Sequence, residues 1–337
     1  MNWETHKDKL ISDYRFRCHT VNSILSVNRA TTLTENQAIE LLDLESQLGQ
    51  YQSLTPKQKE KYEDFKSRLD SITANQKAQF LEWEKKLKTP LLTDKKKERI
   101  EELRAKRDAP PELTEGVKSF CRKIVKEICT GRVRRVWTRP LEKGTKVEST
   151  SISIASRFLE TTILYNTEER SLKNDLIAGI PDTFPQIDDE GKKVVREFKS
   201  PYTIDTFPMF EPTWKDKSGK YYDQVQGYIS LTGADYAELI YVLTDTPDDM
   251  LQSIYFSVAR EMGVIDLPED VRQEIKQKHI YIDIPLKNRV KIYRIEKDPT
   301  FEERVESQVK LCKKYMREII DEYDFAEHEK LKAMIQG

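Results

Sequence analysis

The sequence has few cysteines and histidines and no long apolar run. Its four cysteines, at positions 18, 121, 129 and 312, form no Cys-x-x-Cys pair, which leaves no zinc or iron–sulfur signature and favours reduced structural thiols. The four histidines, at positions 6, 19, 279 and 328, all lie outside the motifs described below, so none is assigned a catalytic role. No apolar run approaches the roughly 18 residues of a membrane span, and the start MNWETHKDK lacks the apolar stretch of a signal peptide. A cytoplasmic protein without membrane contact is predicted.

An excess of charge of either sign is also absent. The 57 basic and 58 acidic residues leave a net charge of −1, which excludes a polybasic coat protein and confines any nucleic-acid surface to a local patch. Hydrophobic residues make up only 37% of the chain and mean hydropathy is −0.70, so much of the chain must be solvated helix. A length of 337 residues favours two domains, or one domain with a large elaboration.

The most informative stretch spans residues 179–199, GIPDTFPQIDDEGKKVVREFK. An apolar run at 176–178, a Gly-bearing turn and a β-rich run at 194–199 predict a two-stranded hairpin. Alternate strand residues share a face, so Glu197 and Lys199 point the same way, and pairing with the first strand brings Asp182 beside them. Two carboxylates and an amine at a strand end suit a hard divalent cation and an anionic substrate. The alternative is a surface hairpin with ordinary charges.

Two further motifs flank this hairpin in a fixed order. G-T-x-V-E ends at Glu148 on a predicted helix before it, and Q-V-Q-G-Y begins at Gln224 on a predicted helix after it. With G-I-P-D and E-F-K between them, these motifs resemble the PD-(D/E)xK nucleases, most closely the lambda-exonuclease-like, YqaJ-type viral recombinases. The resemblance runs from about Arg17 to Ile320. It implies an α/β (α+β) fold with a restriction-endonuclease-like core, in which a small mixed sheet is flanked by helices.

The resemblance also implies a catalytic site. Asp182 and Glu197 would hold Mg²⁺, for which Mn²⁺ would substitute, together with the Phe198 backbone carbonyl. Glu148 would add to this ion or to a second one. Lys199 would orient the attacking water and stabilise developing oxyanion charge, and the amide of Gln224 would hold a scissile-strand phosphate or a metal-bound water.

A basic and hydroxyl-rich segment near the start, YRFRCHTVNSIL, suggests a phosphate site. Residues Arg17, Thr20 and Ser23 would line it at a helix N-terminus, where family members use an Arg and a Ser to hold a terminal 5′-phosphate. The alternative is an ordinary helix start with Thr20 as its cap. His19 is expected to pack or to cap rather than to catalyse.

Residues 33–107 form a weak internal repeat. The units begin at Leu33-Thr34, Leu54-Thr55, Ile72-Thr73 and Leu92-Thr93, and each threonine is a predicted N-cap. Apolar residues then recur at helical spacing, which predicts four short helices in a stack of helical hairpins. Two roles remain open for this arm: a solvated arm, or one that guides DNA or binds a partner.

A second basic stretch, GRVRRVWTR, follows a predicted amphipathic helix at residues 113–128. It is expected to form a strand whose arginines contact the phosphate backbone, or else a basic edge strand that prevents aggregation; they are Arg132, Arg134, Arg135 and Arg139. Tyr228 is assigned either to the same DNA surface or to the core. The loop at 202–221 is a candidate cover for the substrate cleft, and further strands are predicted at 237–244, 280–285 and 290–295.

The predicted organisation has four parts. Residues 1–32 belong to the nuclease domain and contain the possible phosphate site, 33–110 form the helical arm, 111–325 the nuclease core and 326–337 a tail. The predicted function is Mg²⁺-dependent exonuclease cleavage of linear double-stranded DNA from 5′ ends in phage-type recombination, in a bacterial cytoplasm if the gene is phage-borne. The expected partners are DNA, a single-strand annealing protein and further copies of the chain. The alternatives are an endonuclease or single-strand nuclease of the same superfamily, and a non-catalytic DNA-binding protein.

Overall fold

The computed structural model describes residues 3–26, 33–50, 54–68, 71, 73–88, 93–133, 136–213 and 220–336. The α-helices are α1 Trp3–Ser12, α2 Glu35–Gln50, α3 Pro56–Ser67, α4 Ala74–Lys88, α5 Asp94–Asp108, α6 Glu115–Thr130, α7 Arg139–Phe158, α8 Lys220–Thr232, α9 Asp248–Met262, α10 Glu269–His279, α11 Phe301–Ile320 and α12 Phe325–Gln336. The strands are β1 Phe16–Arg17, β2 Leu172–Lys173, β3 Ile177–Gly179, β4 Gln186–Ile187, β5 Lys193–Lys199, β6 Tyr236–Val242 and β7 Val290–Glu296. Short 3₁₀ helices span Cys18–Ser23, Ile204–Thr206 and Leu286–Asn288.

The chain divides into two compact units. Met1–Ser26 and Glu115–Gly337 form the first, which contains every described strand, and Val27–Thr114 forms the second, which contains α2 to α5. Among the described helices, none is both long enough and apolar enough to cross a bilayer.

A four-stranded sheet in the order β4-β5-β6-β7 lies at the centre of the first unit. β5 and β6 are parallel, and the two outer pairs are antiparallel. The two inner strands are almost wholly buried, as strands covered on both faces must be. On one face Phe198 and Ile240 pack against Ile152 and Ala155 of α7. This confirms the predicted small mixed sheet flanked by helices, with strands close to those expected at 237–244 and 290–295.

A second, three-stranded sheet in the order β1-β3-β2 corrects the predicted hairpin. The run at 176–178 was expected to pair with β5, but β3 pairs with β1 and β2 instead. This sheet brings the N-terminal segment against α8 at two glycines. A Cβ atom at Gly179 or at Gly227 would lie only 2.8 Å from Sγ of Cys18, so both positions need glycine for this close approach.

Three other local predictions are wrong. Residues 18–23 form a 3₁₀ helix, and Thr20 lies inside it with its hydroxyl donating to the Arg17 carbonyl at 2.9 Å, so Thr20 is not a cap. The expected strand at 280–285 is a turn, because the Tyr281 amide donates to Asp245 Oδ1 at 2.6 Å and the chain then bends back. Residues 131–133 and 136–138 are not strand: Gly131, at φ +65°, follows α6, and Thr138 caps α7.

The α6 and α11 helices contact each other, and the buried residues of α6 confirm the amphipathic helix predicted at residues 113–128. Cys121 on α6 and Cys312 on α11 are fully buried, as are Val117 and Val309. All four cysteines are buried and none forms a disulfide, in agreement with the prediction of reduced structural thiols.

The second unit is a nested pair of helical hairpins. Thr34, Thr55 and Thr73 each accept a hydrogen bond from the backbone of a Gln three residues on, which confirms them as caps; Thr93, followed by Lys96, makes no such side-chain bond. The order of packing differs from a sequential stack. α2 pairs with α5 and α3 with α4, through the separate apolar clusters Leu41, Leu44, Ile100, Leu103 and Leu54, Tyr62, Phe65, Phe80, Trp83.

Candidate active site

Asp182 is fixed against the edge of β5 by its side chain. It lies between β3 and β4, where the Phe198 amide donates to Asp182 Oδ2 at 2.7 Å. The neighbouring Thr183 hydroxyl donates to the Arg196 carbonyl at 2.9 Å and accepts from the Arg196 amide at 3.1 Å. Two consecutive side chains therefore continue the ladder that β4 begins, and they bring Asp182 next to the carboxyl group of Glu197.

Glu197 is the most enclosed acidic group of this site, with 3% of its surface exposed. Its Oε1 accepts from Lys199 Nζ at 2.5 Å and from Gln224 Nε2 at 2.8 Å. Its Oε2 is one of five buried side-chain polar atoms that have no hydrogen-bond partner within the described part of the chain. Such an atom is costly unless something binds to it.

Tyr228 contacts Gln224 and the turn before Asp182, and it is buried instead of lying on a DNA surface. It is 4% exposed, and its hydroxyl lies 3.3 Å from Gln224 Nε2 and donates to the Ile180 carbonyl at 3.0 Å. The tyrosine therefore ties α8 to the turn that precedes Asp182. Its predicted contact with DNA is wrong because the ring and the hydroxyl are both buried and used inside the protein.

Glu148 approaches the site from α7. Its carboxylate accepts a hydrogen bond from the Tyr165 side chain. Burial, followed by repulsion from Asp182, raises the pKa of Glu148, while Lys199 opposes this rise. Glu148 thus lies within electrostatic reach of both residues.

The site concentrates acidic groups around one lysine. Burial, together with the adjacent Asp182, raises the pKa of Glu197 to about 8. Burial also raises the pKa of Asp182, against the opposing effect of Lys199 and the Phe198 amide. For Lys199, burial disfavours the charge, but the two carboxyl groups outweigh it and raise the pKa to about 12. The lysine is therefore cationic, and the acids are held in a place where a further positive charge would stabilise them.

These residues fit a hard divalent cation. The donors are carboxylate oxygens, and the unpartnered Glu197 Oε2 is available beside Asp182. Within the described ranges no group of three or more acidic, histidine or cysteine side chains is arranged to hold a metal ion. Mg²⁺ does not need such a group, since it usually keeps several waters and takes one or two carboxylates. The Phe198 carbonyl and Glu148 remain predicted ligands.

The N-terminal segment contributes positive charge to the same region. Arg17 and Ser23 are exposed, and Arg17 makes no ion pair with any residue that the structure describes. Burial lowers the pKa of the neighbouring His19, and Arg17, Lys220 and Lys199 lower it further, which places these three basic groups within electrostatic range of His19. The helix N-terminus expected at Thr20 does not exist, so any phosphate contact here depends on side chains.

The second basic stretch is only partly described. Arg132 and Arg139 are exposed, and Arg139 donates from Nη2 to the Ser257 hydroxyl at 2.5 Å. Arg134 and Arg135 lie outside the described residues. Trp137 is 79% exposed. The shared strand face on which the arginines were expected is not present at the described positions, and contact with DNA stays a prediction.

The sequence reasoning missed three residues near the acids. Glu169, held at φ 47°, contributes to the raised pKa of Glu148. Its loop is built by Asn166, a buried residue that donates to the Arg170 and Pro181 carbonyls at 3.1 and 3.0 Å. The Tyr221 ring centroid lies 5.0 Å from Lys199 Nζ. Only Tyr221, beside the Q-V-Q-G-Y motif, lay close enough to a motif to be found from sequence.

The fold built from the central sheet with its α7 and α8 flanks, at whose edge the acids of β5 lie, is shared with a solved structure. The crystal structure of a phage-related exonuclease from Haemophilus somnus 129PT superposes with a TM-score of 0.50 and 23% identity, over 62% of this chain and 85% of that one. The structure of an alkaline exonuclease (LHK-Exo) from Laribacter hongkongensis has a TM-score of 0.39 and 15% identity, and that of LHK-Exo in complex with dAMP has a TM-score of 0.40 and 16% identity. Each comparison covers 66% of this chain and 88% of the other. The likeness in fold rests on the first of these structures. No protein-family model matches the sequence, and no curated protein sequence matches it either.

Proposed function

We propose that this protein is a metal-dependent deoxyribonuclease that acts as an exonuclease. One observation supports this most strongly: the buried and unpartnered Oε2 of Glu197, next to Asp182 and opposite Lys199. That oxygen receives no donor from the described residues, and its carboxyl group lies against that of Asp182, an arrangement that a cation bound to both groups would stabilise. The shared fold with a phage-related exonuclease supports the same function.

Each residue has a distinct task in the proposed reaction. Asp182, Glu197 and the Phe198 carbonyl would hold Mg²⁺, and Glu148 would bind the same ion or a second one. The ion supplies charge neutralisation at the phosphate and a better nucleophile from water. Lys199 directs its ammonium at the charge that grows on the phosphoryl oxygens in the transition state. Gln224 fixes Glu197 through a bond of 2.8 Å and, being neutral, does not compete for the cation.

The proposed substrate is linear double-stranded DNA, degraded from the 5′ end to leave 3′ single-stranded tails. Arg17 and Ser23 are exposed on the N-terminal segment and provide a place for a terminal 5′-phosphate, with Thr20 beside them. Arg17, Lys220 and Lys199 lie within electrostatic range of His19 on this segment. A single-strand annealing protein that takes up the tails, and assembly with further copies, belong to the same proposal.

A plasmid assay tests the proposal directly. Linear, nicked and closed circular forms of one plasmid are incubated with Mg²⁺, with Mn²⁺ or with EDTA. The expected result is metal-dependent loss of the linear form while closed circles persist. Cutting of closed circles would instead indicate an endonuclease. DNA binding without cleavage under any metal would indicate a non-catalytic DNA-binding protein.

A further inference from the structure

On the basis of the proposed function, we infer that Lys143 is a positioning residue that holds α7 against the end of β5, so that Glu148 meets the metal ion. Lys143 is fully buried. Its Nζ donates to the Pro201 carbonyl at 3.1 Å and to the Tyr202 carbonyl at 3.0 Å, and lies 5.4 Å from the centre of the Tyr281 ring. None of the proposed chemical steps uses this lysine.

The surroundings of Lys143 are built for an ammonium group. A lysine has three N–H donors, and here two meet carbonyls while an aromatic face lies near. The carboxylate of Asp245 favours the charged form of Lys143. His279 also lies within electrostatic range of Lys143, and its Nδ1 is 3.1 Å from the Thr246 hydroxyl. An aliphatic side chain would fill this space without the cost of burying a charge. The two carbonyls that Lys143 binds therefore explain why a lysine, and not an aliphatic residue, occupies this buried position.

Those two carbonyls occupy a critical place in the chain. They follow Lys199 by two and three residues, where the sheet ends because Pro201 has no amide hydrogen to continue the ladder. The direction in which the chain leaves β5 is thus set by Lys143 instead of by strand pairing. Lys199 itself is still paired with Tyr241 of β6, so Lys143 acts on the segment that follows it.

α7 contacts the chain that follows β5 at a second point. Lys143, Val147 and Ser151 are four residues apart, so they lie along one face of α7. Val147 is buried, and the Ser151 hydroxyl lies 2.7 Å from the Ser200 hydroxyl. The face is therefore attached to residues 200–202 both before and after Glu148. Glu148 immediately follows Val147 and is thereby presented to Asp182 and Lys199.

A merely structural role and a positioning role predict different results for Lys143→Met. If the lysine only stabilises the fold, the variant loses thermal stability but keeps the metal requirement of the wild type. If it positions Glu148, the folded variant binds metal more weakly and turns over more slowly, while its affinity for DNA in EDTA is unchanged. The split between metal affinity and DNA affinity decides between them.

The experiment combines two measurements on each protein. Mn²⁺ binding is followed by calorimetry without DNA, and the Mg²⁺ concentration for half-maximal cleavage of linear duplex is determined. For Lys143→Met we expect both constants to rise at least tenfold and DNA affinity to stay within twofold of wild type. The matched control is Lys313→Met, since Lys313 also donates to a backbone carbonyl, that of Ser12 at 2.9 Å, on elements away from the site. It should leave both constants unchanged.

Wild-type constants in folded Lys143→Met would overturn the inference. If that variant does not fold, Ser151→Ala decides, because it loosens the same attachment mildly: a raised metal constant supports the inference and an unchanged one refutes it. Failure of the proposed function is distinguishable, because then the wild-type protein itself would neither bind Mn²⁺ nor cleave DNA.

Discussion

The backbone amide of Phe198 donates to the carboxylate of Asp182 at 2.7 Å. This bond joins a residue of the central strand to one that belongs to no strand. It places Asp182 at the side of β5 from which Glu197 is reached, and it stabilises the charged form of a carboxyl group that burial would otherwise neutralise. Position and charge of the first proposed metal ligand thus depend on the strand that provides the second.

Removing one charge from either ligand should abolish cleavage. We expect Asp182→Asn and Glu197→Gln to lose Mg²⁺-dependent activity by at least a thousandfold, because the metal stabilises the transition state by several kcal/mol and ~1.4 kcal/mol corresponds to a factor of ten. Turnover assays and thermal denaturation with and without Mg²⁺ check this; a retained Mg²⁺-induced rise in Tm would place the ion elsewhere.

Lys199 should affect turnover and not affinity. We expect Lys199→Ala to reduce cleavage at least a hundredfold while the Kd for linear DNA changes less than threefold, because one ammonium among many phosphate contacts adds little to binding. Single-turnover kinetics and binding in EDTA give the two quantities. The comparison variant is Lys220→Ala, whose basic side chain lies nearby on α8 without contacting Glu197 through any described hydrogen bond. An equal loss of affinity and turnover in Lys199→Ala would make the lysine a backbone clamp.

The sequence indicated the residues of the site better than the way in which they are held. Alternation along β5 predicted that Glu197 and Lys199 share a face, and their bond of 2.5 Å agrees. The position of Asp182 depends on side-chain hydrogen bonds to the strand edge, which no periodicity encodes. Likewise Tyr228 is the aromatic residue of the Q-V-Q-G-Y motif. Its hydroxyl donates to the Ile180 carbonyl, which lies far from it in sequence, and no local pattern predicts that contact.

The same limit applies to the wider fold. Helices α2 to α5 were predictable because threonine caps and apolar spacing are local, but the pairing of α2 with α5 depends on which apolar faces meet. Ion pairs such as Arg99 with Glu40, 2.9 Å apart, then match only in the nested arrangement. The alternating arginines and valines at 132–136 suggested a strand, but no described strand lies beside this short connection between two capped helices.

Stability should depend on pH through Lys143. Burial lowers the pKa of this lysine to about 8, although Asp245 opposes the shift. An unfolded lysine has a pKa of about 10.4, so between about pH 8 and 10 the unfolded chain binds more protons and folding becomes more favourable as the pH rises. The stability of wild type relative to Lys143→Met should therefore increase across this window, by on the order of 1–3 kcal/mol. Urea denaturation at several pH values measures it, and a flat or falling difference would contradict it.

The helical arm should be separable from the chemistry. Trp83 is 4% exposed and stacks on Phe65 at 5.8 Å between ring centroids, so Trp83→Ala should cost ~3–5 kcal/mol of local stability. We expect faster proteolysis within 54–88 but wild-type initial rates on short linear DNA. Leu81→Ala, at a position 55% exposed on the same helix, is the control and should change neither. A lower rate in Trp83→Ala alone would show that the arm guides DNA.

The direction of degradation should depend on Arg17. This exposed arginine has no described ion-pair partner, and an arginine fork prefers a dianionic terminal phosphate to a hydroxyl end. Arg17→Ala should therefore erase an at least tenfold preference for 5′-phosphorylated duplex ends and leave basal hydrolysis intact, because the acids at β5 are untouched. Arg260→Ala, at another exposed arginine, should keep the preference. The measurement is digestion of duplexes labelled at one end and bearing a 5′-phosphate or a 5′-hydroxyl, beside closed circles. Equal rates on both ends in the wild type, or rapid cutting of circles, would refute the exonuclease proposal and favour an endonuclease that does not use this segment to recognise an end.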